Sequence, residues 1–148
     1  MELTFAPTSP QRLARLIELM EMEEYLGPTL ELLGMSREEF RQLLTRVGQL
    51  YSAFDGDREV GYVWVERRDR VLHLHGLVIE PEYQGKGIGS AIMRWLETSY
   101  GSQADVIELG VHESNRRARQ LYERSGFTVV RTMPAVGFLI MQRPLSTA

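Results

Sequence analysis

Apolar residues recur along the chain with two periods. Leu13, Leu16, Ile17, Met20 and Tyr25 keep a helical spacing. Ser9-Pro10 ahead of them offers an N-cap and a first-turn proline, and Gly27-Pro28 reads as the stop. Phe40, Leu43, Leu44 and Val47 repeat the spacing behind Ser36-Arg37-Glu38-Glu39, an S-x-x-E capping box, and Gly48 ends that helix. The pattern then changes. Leu50–Phe54 and Val60–Val65 are rich in β-branched and aromatic residues and flank Asp55-Gly56-Asp57, a hairpin signal. Arg67-Arg68-Asp69-Arg70 forms the next turn, before a strand from Val71 to Ile79. Ile88, Ala91, Ile92, Trp95 and Leu96 give one apolar face to a helix over Gly87–Tyr100. Val106–Val111 is a short apolar run bounded by polar residues, so it reads as a buried strand. Asn115 caps a helix with Ala118, Leu121 and Tyr122 inside, and Gly126 ends it. Phe127–Arg131 and Gly137–Gln142 are the last strands, and Glu2–Ala6 reads as a short first one.

The order is therefore β-α-α-β-β-β-α-β-α-β-β. It predicts an α/β fold, a mixed and mostly antiparallel sheet flanked by helices. One parallel pair is expected, between the strands on either side of the Gly87–Tyr100 helix, with a right-handed crossover. No repeat or linker composition interrupts the chain, so residues 1–148 read as one domain.

Composition narrows the chemistry. Cysteine is absent, which removes disulfides, thiolate metal sites and a cysteine nucleophile. His73, His75 and His112 show no compact ligand spacing, so no metal is expected. A net charge of −3 disfavours nucleic acid as a main partner. No apolar run is long enough for a membrane span, and the first residues lack the pattern of a secretory signal. A cytoplasmic protein is the expectation.

The stretch from Gln84 to Ser90, Q-G-K-G-I-G-S, lies between a predicted strand and a predicted helix. Three glycines there bare the backbone at a helix N-terminus, where free N–H groups and the helix dipole favour an anion such as phosphate. A plain packing turn is the alternative. The P-loop pattern has no match, and the dinucleotide fingerprint G-x-G-x-x-G fails at Ser90.

Gln84-x-x-Gly87-x-Gly89 resembles the Q/R-x-x-G-x-G/A loop of the GNAT superfamily of N-acetyltransferases. Leu77-Val78-Ile79-Glu80-Pro81 ahead of it looks like the strand end and proline turn of that family. Asn115, Ala118, Leu121-Tyr122-Glu123 and Gly126-Phe127 resemble its second signature, N-x-x-A-x-x-L-Y-E-x-x-G-F. The likeness runs from about Tyr51 to Leu145, whose closing segment resembles the last strand of the family.

The resemblance implies acetyl-CoA as cosubstrate. Its pyrophosphate would lie on the backbone of Gln84, Gly85, Lys86, Gly87, Ile88, Gly89 and Ser90. Its pantetheine arm would pair with Leu77, Val78 and Ile79, with the Val78 amide facing the thioester carbonyl, and would meet Asn115. Tyr122 occupies the position of the family's general acid, and His73 and His75 resemble a proton relay found in some members. From the residues alone, Tyr122 also suits a core aromatic, Asn115 an N-cap, and the histidines a half-buried strand face shared with Leu77 and Ile79. Arg116, Arg117 and Arg119 read as an exposed basic face that could also meet cofactor phosphates. Residues 8–47 carry seven acidic and five basic side chains, Glu18, Glu21, Glu23, Glu24 and Glu31 among them, and could steer a cationic acceptor. The expected partners are acetyl-CoA and an amine, whether small molecule, peptide or protein, acting on a monomer or homodimer. A non-catalytic acyl-CoA-binding sensor is the alternative.

Overall fold

The computed structural model describes residues 2–22 and 26–145. Its elements are β1 (Thr4–Pro7), α1 (Leu13–Met22), α2 (Leu26–Leu33), α3 (Arg37–Arg46), β2 (Gln49–Asp55), β3 (Arg58–Arg68), β4 (Val71–Ile79), α4 (Ile88–Tyr100), β5 (Val106–His112), α5 (Arg116–Arg124), β6 (Thr128–Met133) and β7 (Phe138–Pro144). Seven strands form one sheet in the order β1-β2-β3-β4-β5-β7-β6. The described strands pair antiparallel except β4 and β5, which run parallel from Val71 opposite Val106 to Leu74 opposite Leu109. The helix between them, α4, makes the crossover. Among the described residues no helix is long and apolar enough to cross a membrane.

One helix more is present than the spacing predicts. Gly27-Pro28 does not end the first helical run but lies in the first turn of α2. Proline is tolerated there because first-turn N–H groups have no partner inside the helix. Tyr25, Glu23 and Glu24 lie outside the described residues. Ser9 also departs from expectation. It precedes a 3₁₀ turn over Pro10–Arg12, and its side chain makes no capping bond. Ser36 does cap α3, with its hydroxyl accepting from Glu39 N–H and the Glu39 carboxylate accepting from Ser36 N–H.

Each sheet face buries its own core. Leu72, Ile107 and Met141 pack with Ile92 and Leu96 of α4, while Tyr62, Trp64 and Val78 pack with Leu16 and Phe40 of the α1–α3 side. Arg15 of α1 forks onto the nearly buried carboxylate of Glu80, its Nε donating to Oε2 at 3.1 Å and its Nη2 to Oε1 at 2.5 Å. That pair fixes α1 over the end of β4.

A β-bulge in β4 decides which side chains face which layer. Val65 stands opposite Leu74 and Trp64 opposite Gly76, so His75 is an extra residue. Before it, odd-numbered residues of β4 face the α1–α3 side. After it, even-numbered ones do, and Val78 joins Trp64 while Leu77 and Ile79 pack on the α4–α5 side. The histidines therefore do not share a face with Leu77 and Ile79. The alternation rule holds only in an unbroken strand, and the bulge resets it.

Candidate active site

The parallel pairing of β4 and β5 stops at Leu74 and Leu109. Beyond it β4 continues along β3 and β5 continues along β7. The gap between them is a slot lined by Leu77, Val78, Ile79, Asn115, Tyr122 and neighbours. A second cavity, of about 230 Å³, opens towards α2 and α3. The two share Thr29, Leu74, His75, Gly110 and Phe138 in their walls, so they adjoin one another.

The edge of β4 facing the slot carries unpaired-strand backbone. Successive N–H groups of a strand point to opposite edges. Glu80 N–H donates to Val60 O at 2.9 Å, towards β3. Two residues back, the Val78 N–H points the same way. The N–H groups of Leu77 and Ile79 point into the slot, and so does the Ile79 carbonyl, which accepts from Gln84 Nε2 at 3.2 Å. The expectation that the Val78 amide faces a thioester carbonyl is thus corrected by the phase of the strand.

At the mouth of the slot, Gly85 and Gly87 have φ of +76° and +82°, the left-handed region that favours glycine. A Cβ on either would meet nothing within 4 Å, so open space lies over the loop. The first bond within α4 is Ala91 N–H to Gly87 O. Helix geometry therefore leaves the N–H groups of Ile88, Gly89 and Ser90 without intrahelical acceptors. The loop's other members differ in use. Ile88 is a core side chain, Lys86 is exposed above the Tyr83 ring at 5.3 Å, and Gly89 is a contact glycine. A Cβ on Gly89 would come within 2.7 Å of Leu121 Cδ2, so its bareness lets α4 pack against α5. Open space over Gly85 and Gly87 leaves room for a ligand, whereas Gly89 serves packing. Gln84 also accepts from the guanidinium of Arg117, which joins the loop to α5.

Asn115 caps α5, its Oδ1 accepting from Ala118 N–H at 3.3 Å, and also lines the slot. Tyr122 is 7% exposed, with its ring 5.6 Å from that of Phe127, and its side chain borders the slot. His75 stands where slot and cavity meet. Its ring lies 4.9 Å from Trp64, and its Nε2 is 2.8 Å from Glu66 Oε1. The His73 ring stacks behind it at 6.1 Å, away from both cavity walls. Burial, with Arg68 nearby, pushes the His73 pKa below its ordinary value, so its neutral form prevails at pH 7. The His75 hydrogen bond holds the Glu66 carboxyl below the usual range, which keeps it ionised.

Glu66 and Trp64 escaped the sequence reading. Their signal was present in the spacing: both stand two residues apart on β3, as Tyr62 and Trp64 do, and so share a face. Two of the acidic residues of 8–47 are engaged in ion pairs. Glu18 pairs with Arg15 and Glu21 with Arg37, and no described acidic side chain of that segment lines the cavity. His112, the last residue of β5, lines the slot with its ring 5.3 Å from Phe138.

Known proteins are similar to this chain in sequence and in fold. A mycothiol acetyltransferase of Beutenbergia cavernae is 38% identical over 79 residues, covering 51% of this chain and 27% of that one. An uncharacterized N-acetyltransferase of Mycobacterium tuberculosis is 35% identical over 100 residues, covering 65% of this chain and 64% of that one. The matched region thus spans less than two thirds of either relative. Among solved structures, PaiA N-acetyltransferase from Thermoplasma acidophilum, in complex with coenzyme A, has the same fold at a TM-score of 0.72 and 20% identity, over 97% of this chain and 99% of that one. The ribosomal-protein-S18-alanine N-acetyltransferase from Escherichia coli follows at 0.73 and 18%, over 99% and 96%. The model of the acetyltransferase (GNAT) family matches residues 14–127, from α1 to the turn after α5. The chain belongs to the acetyltransferase (GNAT) family.

Proposed function

We propose that this protein is an N-acetyltransferase that passes an acetyl group from acetyl-CoA directly to a primary amine in a ternary complex. The observation that carries the reading is the slot beside the end of β4, whose open strand edge offers Leu77 and Ile79 N–H groups and whose wall reaches Gln84, next to the open backbone of Gly85 and Gly87. Such an edge pairs with an extended amide-bearing arm as it would with another strand.

Acetyl-CoA supplies the activated acyl carbon, whose bond to sulfur breaks as the bond to the amine nitrogen forms. The N–H groups of Ile88, Gly89 and Ser90 hold the anionic end at the helix N-terminus. Going back along β4 from that loop, Ile79 binds the arm and Leu77, beside the bulge, donates to the carbonyl oxygen as charge develops. His75 takes the proton that the ammonium must lose, directly or through water, with Glu66 orienting the ring. His73 stands second in line as a neutral acceptor. Tyr122 Oη donates a proton to the departing sulfur and is reprotonated, through water, by the second proton that the nitrogen loses as the amide forms. With cysteine absent, no cysteinyl acyl-enzyme lies on the path.

The test combines calorimetric titration of acetyl-CoA with free-thiol release across a panel of amines. The expected result is binding together with amine-dependent thiol release. Binding without release for any amine would instead identify a non-catalytic acyl-CoA sensor.

A further inference from the structure

The cavity beyond His75 has its own chemistry. Leu32, Phe40, Leu43, Val47 and Ile140 give it apolar walls, and Trp64 adds an aromatic face. Among its described lining residues Glu66 is the one carboxylate, and it lies against His75, which lines both cavity and slot. The acidic group thus lies beside a residue that borders the slot, and the far end, walled by Phe40 and Leu43 of α3, is apolar. Burying a second charge in that far end would leave it unpaired, which is costly. An ammonium on an apolar body fits both ends at once.

We propose that the acceptor is a small primary amine carried on a compact apolar body, with Glu66 as the residue that holds its ammonium. This inference rests on the N-acetyltransferase reading above. Oε1 of the Glu66 carboxylate faces His75 Nε2 at 2.8 Å and Arg68 Nε at 3.6 Å, and a carboxylate accepts several hydrogen bonds, so the ammonium docks on Oε2 within reach of the imidazole that deprotonates it. The same carboxylate repels the acid group of a free amino acid.

The test measures kcat/KM by thiol release at saturating acetyl-CoA for ethylamine, butylamine and hexylamine. Included beside them are 2-phenylethylamine, 1,4-diaminobutane, glycine and a peptide with a free N-terminus. Burial of each methylene should raise kcat/KM about fourfold until the cavity is full. Diaminobutane, glycine and the peptide should fall at least tenfold below butylamine. Glu66→Gln keeps a hydrogen-bonding group beside His75 but removes the charge, and should act chiefly through KM, raising it about tenfold. Leu43→Trp fills the cavity and should depress hexylamine while sparing ethylamine. A flat chain-length series, or preference for the diamine or the peptide, overturns the proposal and leaves the acetyltransferase reading standing. Acetyl-CoA binding without turnover of any alkylamine overturns it too. Failure of acetyl-CoA to bind overturns both.

Discussion

Gly87 and Gly89 are two residues apart in one loop, and the structure assigns them opposite consequences. Gly87 has φ of +82° and open space where a Cβ would go. Gly87→Ala meets no neighbour, so its folding cost is backbone strain of about 1–2 kcal/mol, partly offset by about 0.4–1 kcal/mol from a stiffer unfolded chain. The added methyl stands in the space over the cradle, so acetyl-CoA affinity should fall at least tenfold, which is about 1.4 kcal/mol or more. Gly89→Ala does the reverse. Its Cβ would come to 2.7 Å of Leu121 Cδ2 and 3.0 Å of Cδ1, so the Leu121 side chain must move. Overpacking of this kind costs about 1–3 kcal/mol, against a gain of about 0.5–1 kcal/mol from replacing a helical glycine. A net loss near 1 kcal/mol corresponds to a Tm lowered by about 3–4 °C in a chain of this size. Calorimetric titration of acetyl-CoA and thermal melts of both variants separate the two effects. Unchanged affinity in a folded Gly87→Ala protein would refute the cradle. Affinity lost in Gly89→Ala with an unaltered melt would refute the packing assignment.

Three further outcomes follow from the site. Tyr122→Phe keeps the ring against Phe127 and deletes the donor. Its kcat should drop by about 10² with acetyl-CoA affinity and Tm nearly unchanged, and wild-type kcat where chemistry limits turnover would make Tyr122 a core aromatic only. His73 faces Arg68, Glu108, His75 and Glu66, and burial depresses its folded pKa below the 6.5 of the free side chain. Its contribution to stability is therefore complete above about pH 6.5 and lost as pH falls through the lower folded value. Denaturant melts from pH 7.5 to 5 should show that decline in the wild type and a shallower one in His73→Asn, whereas equal slopes would place the decline elsewhere. His75→Ala should lose most turnover at neutral pH and regain part of it at higher pH, where more amine is already neutral. A loss that is constant with pH would remove the proton-accepting role.

Much of this was legible in the chain because local chemistry set it. The Ser36 capping box, the Asp55-Gly56-Asp57 turn and the parallel pairing around α4 all formed where spacing placed them. The glycine loop was legible as a strand-to-helix turn for the same reason, since Gly85 and Gly87 take the left-handed backbone that favours glycine. What escaped was set by the partner strand. The bulge at His75 depends on the register with β3, and Gly76 beside it is a mark of a bulge that the strand reading passed over. The edge to which the Val78 amide points depends on that same phase. Glu66 was hidden because one glutamate on a strand looks like any solvated charge until His75 lies against it. Gly27-Pro28 misled because the pair serves both to stop a helix and to begin one.

Direct transfer is the central claim, and an initial-rate matrix tests it most directly. Acetyl-CoA and an alkylamine are varied together while thiol release is followed. Attack within a ternary complex predicts double-reciprocal lines that intersect, with no thiol released before the amine is added. Parallel lines with a thiol burst in the absence of amine, or no amine-dependent release at all, would contradict it.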